Sequence, residues 1–197
     1  MSARATAISE RRRQELVIAA YRQIAERGFE GLRTREVVAE VGVNIATLHY
    51  YFPSKESLIR GVLEHAMDRF RTTLEPHGSP GDQLRNHLRA VRKLMVQEPE
   101  LGAVMGELAL RSSRDRLVRG IVNELFNSWQ TVLRGLLRRG VREGMLRSDL
   151  DSDAVAALVM ATLMSSTLPP MSEAGRGDLA VRQLERWMGL SARKSSN

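Results

Sequence analysis

Thr34-Arg35-Glu36-Val37-Val38-Ala39-Glu40-Val41-Gly42-Val43-Asn44-Ile45-Ala46-Thr47-Leu48-His49-Tyr50-Tyr51-Phe52-Pro53-Ser54-Lys55-Glu56 holds two short helical patterns separated by one glycine. Thr34 is a fair N-cap for the first, whose apolar face is Val37, Val38 and Val41. β-Branched residues are poor helix formers, so packing must hold that helix. Gly42 supplies the turn, Val43 plugs a small core, and Asn44 is a good N-cap for the second helix, Ile45 to Tyr51. Pro53 cannot continue the hydrogen-bond ladder, and Ser54 caps a long helix reaching about Leu74. Its apolar stripe is Leu58, Val62, Met67 and Phe70. Two short helices joined by a tight turn with Gly make a helix-turn-helix, which lays its second helix in a DNA major groove.

Upstream, Met1 to Ala7 is small, polar and basic and reads as a mobile arm; Ser9-Glu10 is a helix start. Leu16, Ala20 and Ile24 then recur at helical spacing until Gly28, with Phe29 and Leu32 packing at the turn. Arg11-Arg12-Arg13, with Arg4, forms a basic cluster suited to backbone or minor-groove contacts. Downstream, the Pro76–Gly81 stretch is the clear linker. Amphipathic helices follow over about 82–97, from Pro99 onward, and over about 114–143. The last carries Leu117, Ile121, Leu125, Trp129, Val132, Leu136 and Val141, and Gly144 breaks it. Asp151 and Asp153 open a helix that is apolar on every face, Val155 to Met164. Such a helix must be buried all round, by its own core on one side and a second protomer on the other. A final helix, Asp178 to Met188, carries Leu179, Val181, Leu184 and Trp187.

Composition agrees with an all-helical chain. At 197 residues, 43% hydrophobic and only 5% aromatic, there is enough to bury a core and little to build strands from. The absence of cysteine excludes disulfides, zinc–thiolate sites and thiol nucleophiles. A net charge of +7 favours polyanions as partners. There is no apolar secretory leader, and no apolar stretch approaches the ~20 residues that span a bilayer, so a cytoplasmic location without membrane contact is expected.

The order and spacing of residues from Arg12 to Leu63 resemble the DNA-binding segment of the tetracycline-repressor (TetR) family of transcriptional regulators. The resemblance implies an all-α fold of about nine helices. A three-helix DNA-binding domain would span residues 1–56, with a basic arm at 1–8. A larger effector-binding and dimerisation domain would span 57–190, followed by a flexible tail at 191–197. It also implies a homodimer through helices at 154–168 and 178–189. Two-fold symmetry of that kind matches a palindromic operator in double-stranded DNA.

The candidate DNA-contacting residues are Thr34, Asn44, Ile45, Ala46, Thr47, His49, Tyr50, Tyr51 and Lys55. Ile45, Ala46, His49 and Tyr50 project toward base edges, where a methyl group can meet a thymine methyl and an imidazole can meet guanine. Thr47, Tyr51 and Lys55 occupy positions similar to the family's phosphate contacts. His49, Asn44 and Val38 stand where the family more often has Tyr, Ser and Ala, which leaves the operator sequence open. A small-molecule effector would be lined by Met105, Leu108, Phe126, Trp129, Met160 and Met164, since methionines adapt to varied apolar ligands. Glu107, Arg111 and Gln130 are candidate polar anchors.

Nothing points to catalysis, to a metal or to a cofactor. There is no nucleophile elbow, no phosphate-cradling glycine loop and no His-Glu-x-x-His pattern, and His65, His77 and His87 stand isolated. The expected function is that of a sequence-specific repressor released from its operator by an effector. An activator or effector-independent regulator of the same fold, or a helical small-molecule-binding protein or enzyme, are the alternatives.

Overall fold

The computed structural model describes residues 3–74, 76–165, 168, 171 and 175–190, with side chains from residue 6 onward. Among them every regular element is a helix. In order they are α1 (Ala3–Gly31), α2 (Thr34–Val41), α3 (Ile45–Tyr51), α4 (Lys55–Arg71), α5 (Pro80–Gln97), α6 (Pro99–Ser112), α7 (Arg116–Arg142), α8 (Ser152–Ser165) and α9 (Arg176–Trp187). The expected tail, residues 191–197, lies outside the described residues.

Two compact units result, Met1–Arg69 with Glu100–Val122, and Phe70–Pro99 with Asn123–Asn197. The expected boundaries, after residue 56 and near the Pro76–Gly81 linker, are therefore not where packing divides the chain. The division falls inside α4 and α7, and α6 groups with the DNA-binding head. A linker marks where helical periodicity stops; it does not record which helix faces meet.

In the first unit, Leu16, Val17, Ala20 and Ile24 of α1 are buried, as are Leu58, Val62, Leu63 and Ala66 of α4. Gly61 permits a close approach: a Cβ there would lie 3.0 Å from Val17 Cγ2 and 3.1 Å from Phe52 Cε1. Helix α1 begins at Ala3, which corrects the expected arm at 1–8. Residues 3–9 include the good helix formers Ala3, Ala5 and Ala7, and no Gly or Pro to oppose the helix. Its regular run breaks where expected, at Gly28 with φ 67°. Just beyond, the Phe29 N–H donates to Glu107 Oε2 at 3.3 Å, and Arg111 Nη1 pairs with Glu30 Oε1 at 2.5 Å. Helix α6 thus grips the end of α1.

In the second unit, α5 starts at Pro80 because Ser79 caps it, its Oγ accepting the Asp82 N–H at 3.2 Å. Over the second-unit part of α7, Trp129, Leu133, Leu136 and Leu137 are buried, while the expected core position Val132 is exposed. The expected stripe drifts by one residue as 3.6-residue turns accumulate over a long helix. The first-unit part of α7 shows the same drift, with Val118 and Ile121 inside and Leu117 out.

Helix α8 buries Ala156, Val159, Met160 and Leu163 and packs against α9, which buries Val181 and Leu184. The all-round burial expected of α8 is not met within one chain. Leu158 is 48% exposed, and Ala154, Ala157 and Ala161 also face solvent. On α9, Leu179 and Trp187 are 60% and 55% exposed. Of the helix expected over 154–168, residues 166 and 167 lie outside the described residues.

Candidate nucleic-acid interface

A seven-residue helix cannot stand alone in water, so α3 depends on its ends and its inner face. Gly42 adopts φ 71°, ψ 37°, and its N–H closes α2 onto Ala39 O and Val38 O. Nothing lies within 4 Å of the position a Cβ would take there. The constraint is left-handed backbone, which glycine alone adopts without cost, rather than space. Asn44 Oδ1 then accepts both the Thr47 N–H at 2.8 Å and the Thr47 hydroxyl at 2.9 Å. Leu48 and Phe52 are buried and pin the inner face; each contributes about 2 kcal/mol of apolar burial. Helix α2 differs in one detail. Its N-cap is Arg33, with no side-chain cap bond, and Thr34 is its first helical residue.

With Leu48 turned in, helical geometry turns the opposite face out. Ile45, Ala46, His49 and Tyr50 are all exposed, Tyr50 to 79%. Thr47 and Tyr51 are half-buried. The Thr47 hydroxyl is committed to the cap, and the Asn44 carbonyl oxygen with it, so Asn44 retains only its NH2 group for any outside acceptor. Tyr51 stacks edge-on against Tyr50, with ring centroids 5.0 Å apart, and its hydroxyl accepts from Ser9 Oγ at 3.2 Å.

Charge is sorted rather than spread. Arg11 and Arg12 pair with Glu15; Arg13 pairs with Glu10 and Glu64 and lies 5.3 Å from the Phe52 ring centroid. The basic cluster is therefore largely answered within the fold, and the side chain of Arg4 lies outside the described residues. Arg22 and Arg27 pair with Glu40 and Glu36. Lys55, at the start of α4, is exposed and pairs with no carboxylate among the described residues. The same holds for Arg35 in the first turn of α2, which is missing from the sequence-based candidates. The signal was available. Positions three and four away on either side of Arg35 hold Gly31, Leu32, Val38 and Ala39, so no helical neighbour offers it a carboxylate.

The start of α4 is internally capped. Ser54 Oγ accepts the Ser57 N–H at 3.2 Å, and Ser57 Oγ accepts the Ser54 N–H at 3.1 Å. The exposed Glu56 carboxyl is held below the usual range by its own backbone N–H and then by Ser54. Lys55 is the group left over for an anion.

The effector candidates fall in both units. Met105 and Leu108 are buried in the first. In the second, Trp129 and Met160 are buried, while Phe126 and Met164 are half-buried. Trp129 belongs to a closed polar relay. Its Nε1–H donates to His87 Nε2 at 3.1 Å; His87 Nδ1 lies 2.8 Å from Thr73 Oγ1, which donates to Phe70 O at 2.5 Å. Indole can only donate, so His87 Nε2 must accept and Nδ1 must carry the proton. Burial pushes the His87 imidazole down to about 4, keeping it neutral. An open cleft of about 640 Å³, lined by Ser79, Asp82, Arg85, Arg89, Met145 and Glu185 among others, contains none of the six candidates. No cluster of three or more metal-ligating side chains occurs among the described residues.

Residues 16–62 match the family model for bacterial regulatory proteins of the tetR family, and residues 74–180 match the tetracyclin repressor-like C-terminal domain. The chain belongs to the TetR family. It is a DNA-binding transcriptional regulator of that family. Its relatives include the nucleoid occlusion factor SlmA of Photobacterium profundum, 33% identical over 139 residues, covering 67% of this chain and 70% of the relative. Among solved structures, a TetR transcriptional regulator from Chloroflexus aurantiacus J-10-FL superimposes with a TM-score of 0.78 at 22% identity, covering 93% of this chain and 96% of that one. The regulator FadR from Bacillus subtilis, in complex with stearoyl-CoA, gives a TM-score of 0.73 at 21% identity, over 89% and 97% of the two chains. No helix among the described residues is long and apolar enough to cross a membrane.

Proposed function

We propose that this chain is a cytoplasmic repressor that binds a palindromic operator as a homodimer and is released by a small-molecule effector. The observation that carries the reading is the outer face of α3. Ile45, Ala46, His49 and Tyr50 project from a helix whose other side is locked by Leu48 and Phe52. Those four outward residues read base edges. Arg35, Lys55 and the hydroxyl of Tyr51 hold phosphates, which set register without carrying sequence information. Thr34, Asn44 and Thr47 contribute through backbone groups and the Asn44 amide.

The uncovered apolar faces of α8 and α9 supply the dimer. Leu158, Leu179 and Trp187 have little polar surface to reward water, and a second copy of the same helices removes them from it. For the effector, the half-buried Phe126 and Met164 of the second unit are the favoured lining, with Met160 beside them on α8. The stearoyl-CoA bound by FadR supports an effector with a substantial apolar part. Helices α4 and α7 each contribute residues to both units, and α6 holds the end of α1 through Glu107 and Arg111. A shift of α6 therefore moves the head, and by linkage each ligand weakens the other.

A gel-shift against the promoter region beside its own coding frame tests the reading. Affinity falls steeply as salt is raised, in proportion to the phosphates neutralised. Equal, weak binding to every fragment would sink it. The SlmA relatives motivate a second reading, a nucleoid occlusion role. Genome-wide footprints with no change in transcription nearby would favour it over a repressor.

A further inference from the structure

We infer that Ser9 is a positioning residue for DNA binding: it turns the Tyr51 hydroxyl into a dedicated proton donor aimed at a phosphate oxygen. The inference rests on the reading of Tyr51 as a phosphate contact. A serine inside a helix ordinarily returns its hydroxyl proton to the carbonyl one turn back. Ser9 does not. Its Oγ donates across 42 residues of chain to the Tyr51 hydroxyl, at 3.2 Å.

That direction matters chemically. A phenol can donate or accept, and a phosphate oxygen only accepts. Once Ser9 occupies a lone pair of the Tyr51 oxygen, the phenolic proton has no acceptor among the described residues and points to whatever lies outside. Hydrogen bonds in a chain polarise one another, so the donor is also strengthened. The ring is already held at its edge by Tyr50, and both Ser9 and Tyr51 are half-buried, which limits the alternatives open to the pair. The link exists only because α1 is helical from Ala3 and carries Ser9 in a fixed place beside the end of α3.

The test uses the full chain and a 30-base-pair duplex, of the order of one two-headed site, which the wild-type protein selects from a random pool. Affinity is read by fluorescence anisotropy for Ser9→Ala, Ser9→Thr, Tyr51→Phe and the Ser9→Ala/Tyr51→Phe pair. Alanine is the better helix former, so Ser9→Ala keeps α1 folded. Ser9→Ala should weaken binding about fivefold per head, the ratio matching about 1 kcal/mol for a neutral hydrogen bond. Ser9→Thr should restore it, and the double variant should be no weaker than Tyr51→Phe alone. The preference for the selected duplex over a scrambled one should not change, because a phosphate contact carries no sequence information. Wild-type affinity in Ser9→Ala with weakened Tyr51→Phe overturns the role of Ser9 and leaves Tyr51 standing. Wild-type affinity in Tyr51→Phe overturns the phosphate reading and this inference with it. Additive losses, or a changed preference ratio, mean that Ser9 merely braces α3, and they overturn the inference as well.

Discussion

Helices α3 and α8 each bury one side and leave the other bare, yet their bare sides have opposite chemistry. Helix α3 shows His49 and Tyr50 beside Ile45 and Ala46, with unpaired cations at the starts of the flanking helices. Helix α8 shows Leu158 among alanines, with no donor or acceptor on that side chain set. A face of mixed donors and methyl groups suits the edges of base pairs, which offer the same mixture. A face of small and apolar groups gains only from excluding water, which another protein surface does best. The partner of a half-covered helix is thus written in the composition of its bare side.

This contrast is most severely tested at Leu158. Leu158→Arg places a charge where the second protomer is to sit, and sedimentation should show monomers. With one head per molecule, operator affinity should fall by roughly two orders of magnitude or more, since the second head no longer binds at high effective concentration. An unchanged mass would move the dimer interface elsewhere.

Inside the second unit, His87→Leu should remove a pH dependence that the head does not share. The folded imidazole sits at about 4, below its ordinary 6.5, so the folded state resists protonation. Its contribution is complete above pH 6.5 and is lost as the pH falls from there toward 4, by about 3 kcal/mol in all. Urea midpoints measured across that window should flatten in the variant. A wild-type midpoint that stays level across the same window would contradict the neutral, closed relay.

In the head, Gly61→Ala puts a methyl against Val17 and Phe52 and should cost about 1–3 kcal/mol of stability, seen as a lowered Tm. The substitution tests whether α3 depends on the packing beneath Phe52.

At the protein surface, Lys55→Ala and His49→Ala should part company. The first weakens all duplexes alike and lowers the salt slope by about one per head. The second changes which duplexes are preferred, by about 1–3 kcal/mol at one base pair. A Lys55→Ala variant with altered preferences would erase the distinction between positioning and reading.

Much of the fold was legible because helices announce themselves locally. Gly42, Asn44, Pro53 and Ser54 each act through their own backbone or the next turn, and α3 has the bounds that its caps predict. Errors arose where distance entered. The stripe on α7 drifted, because a small error in period grows along 27 residues. Residues 3–8 looked like an arm because their polarity hid a composition that helices tolerate. His87 looked isolated in the chain, yet Thr73 and Trp129 complete its hydrogen bonds. Asn44 was legible both as a cap and as a contact, and the fold assigns its carbonyl oxygen to the cap.

Local periodicity, one obligatory left-handed glycine and a run of caps were enough to establish an all-helical chain with a short rod presented on a turn. Those features are short-range, and their physics is complete within a few residues. Tertiary packing alone settled which cations are spent on neighbouring carboxylates, which helix joins the head, and which side of α8 is left uncovered. Each of those depends on groups far apart in the chain being brought within a few ångströms, where charge pairing and exclusion of water act.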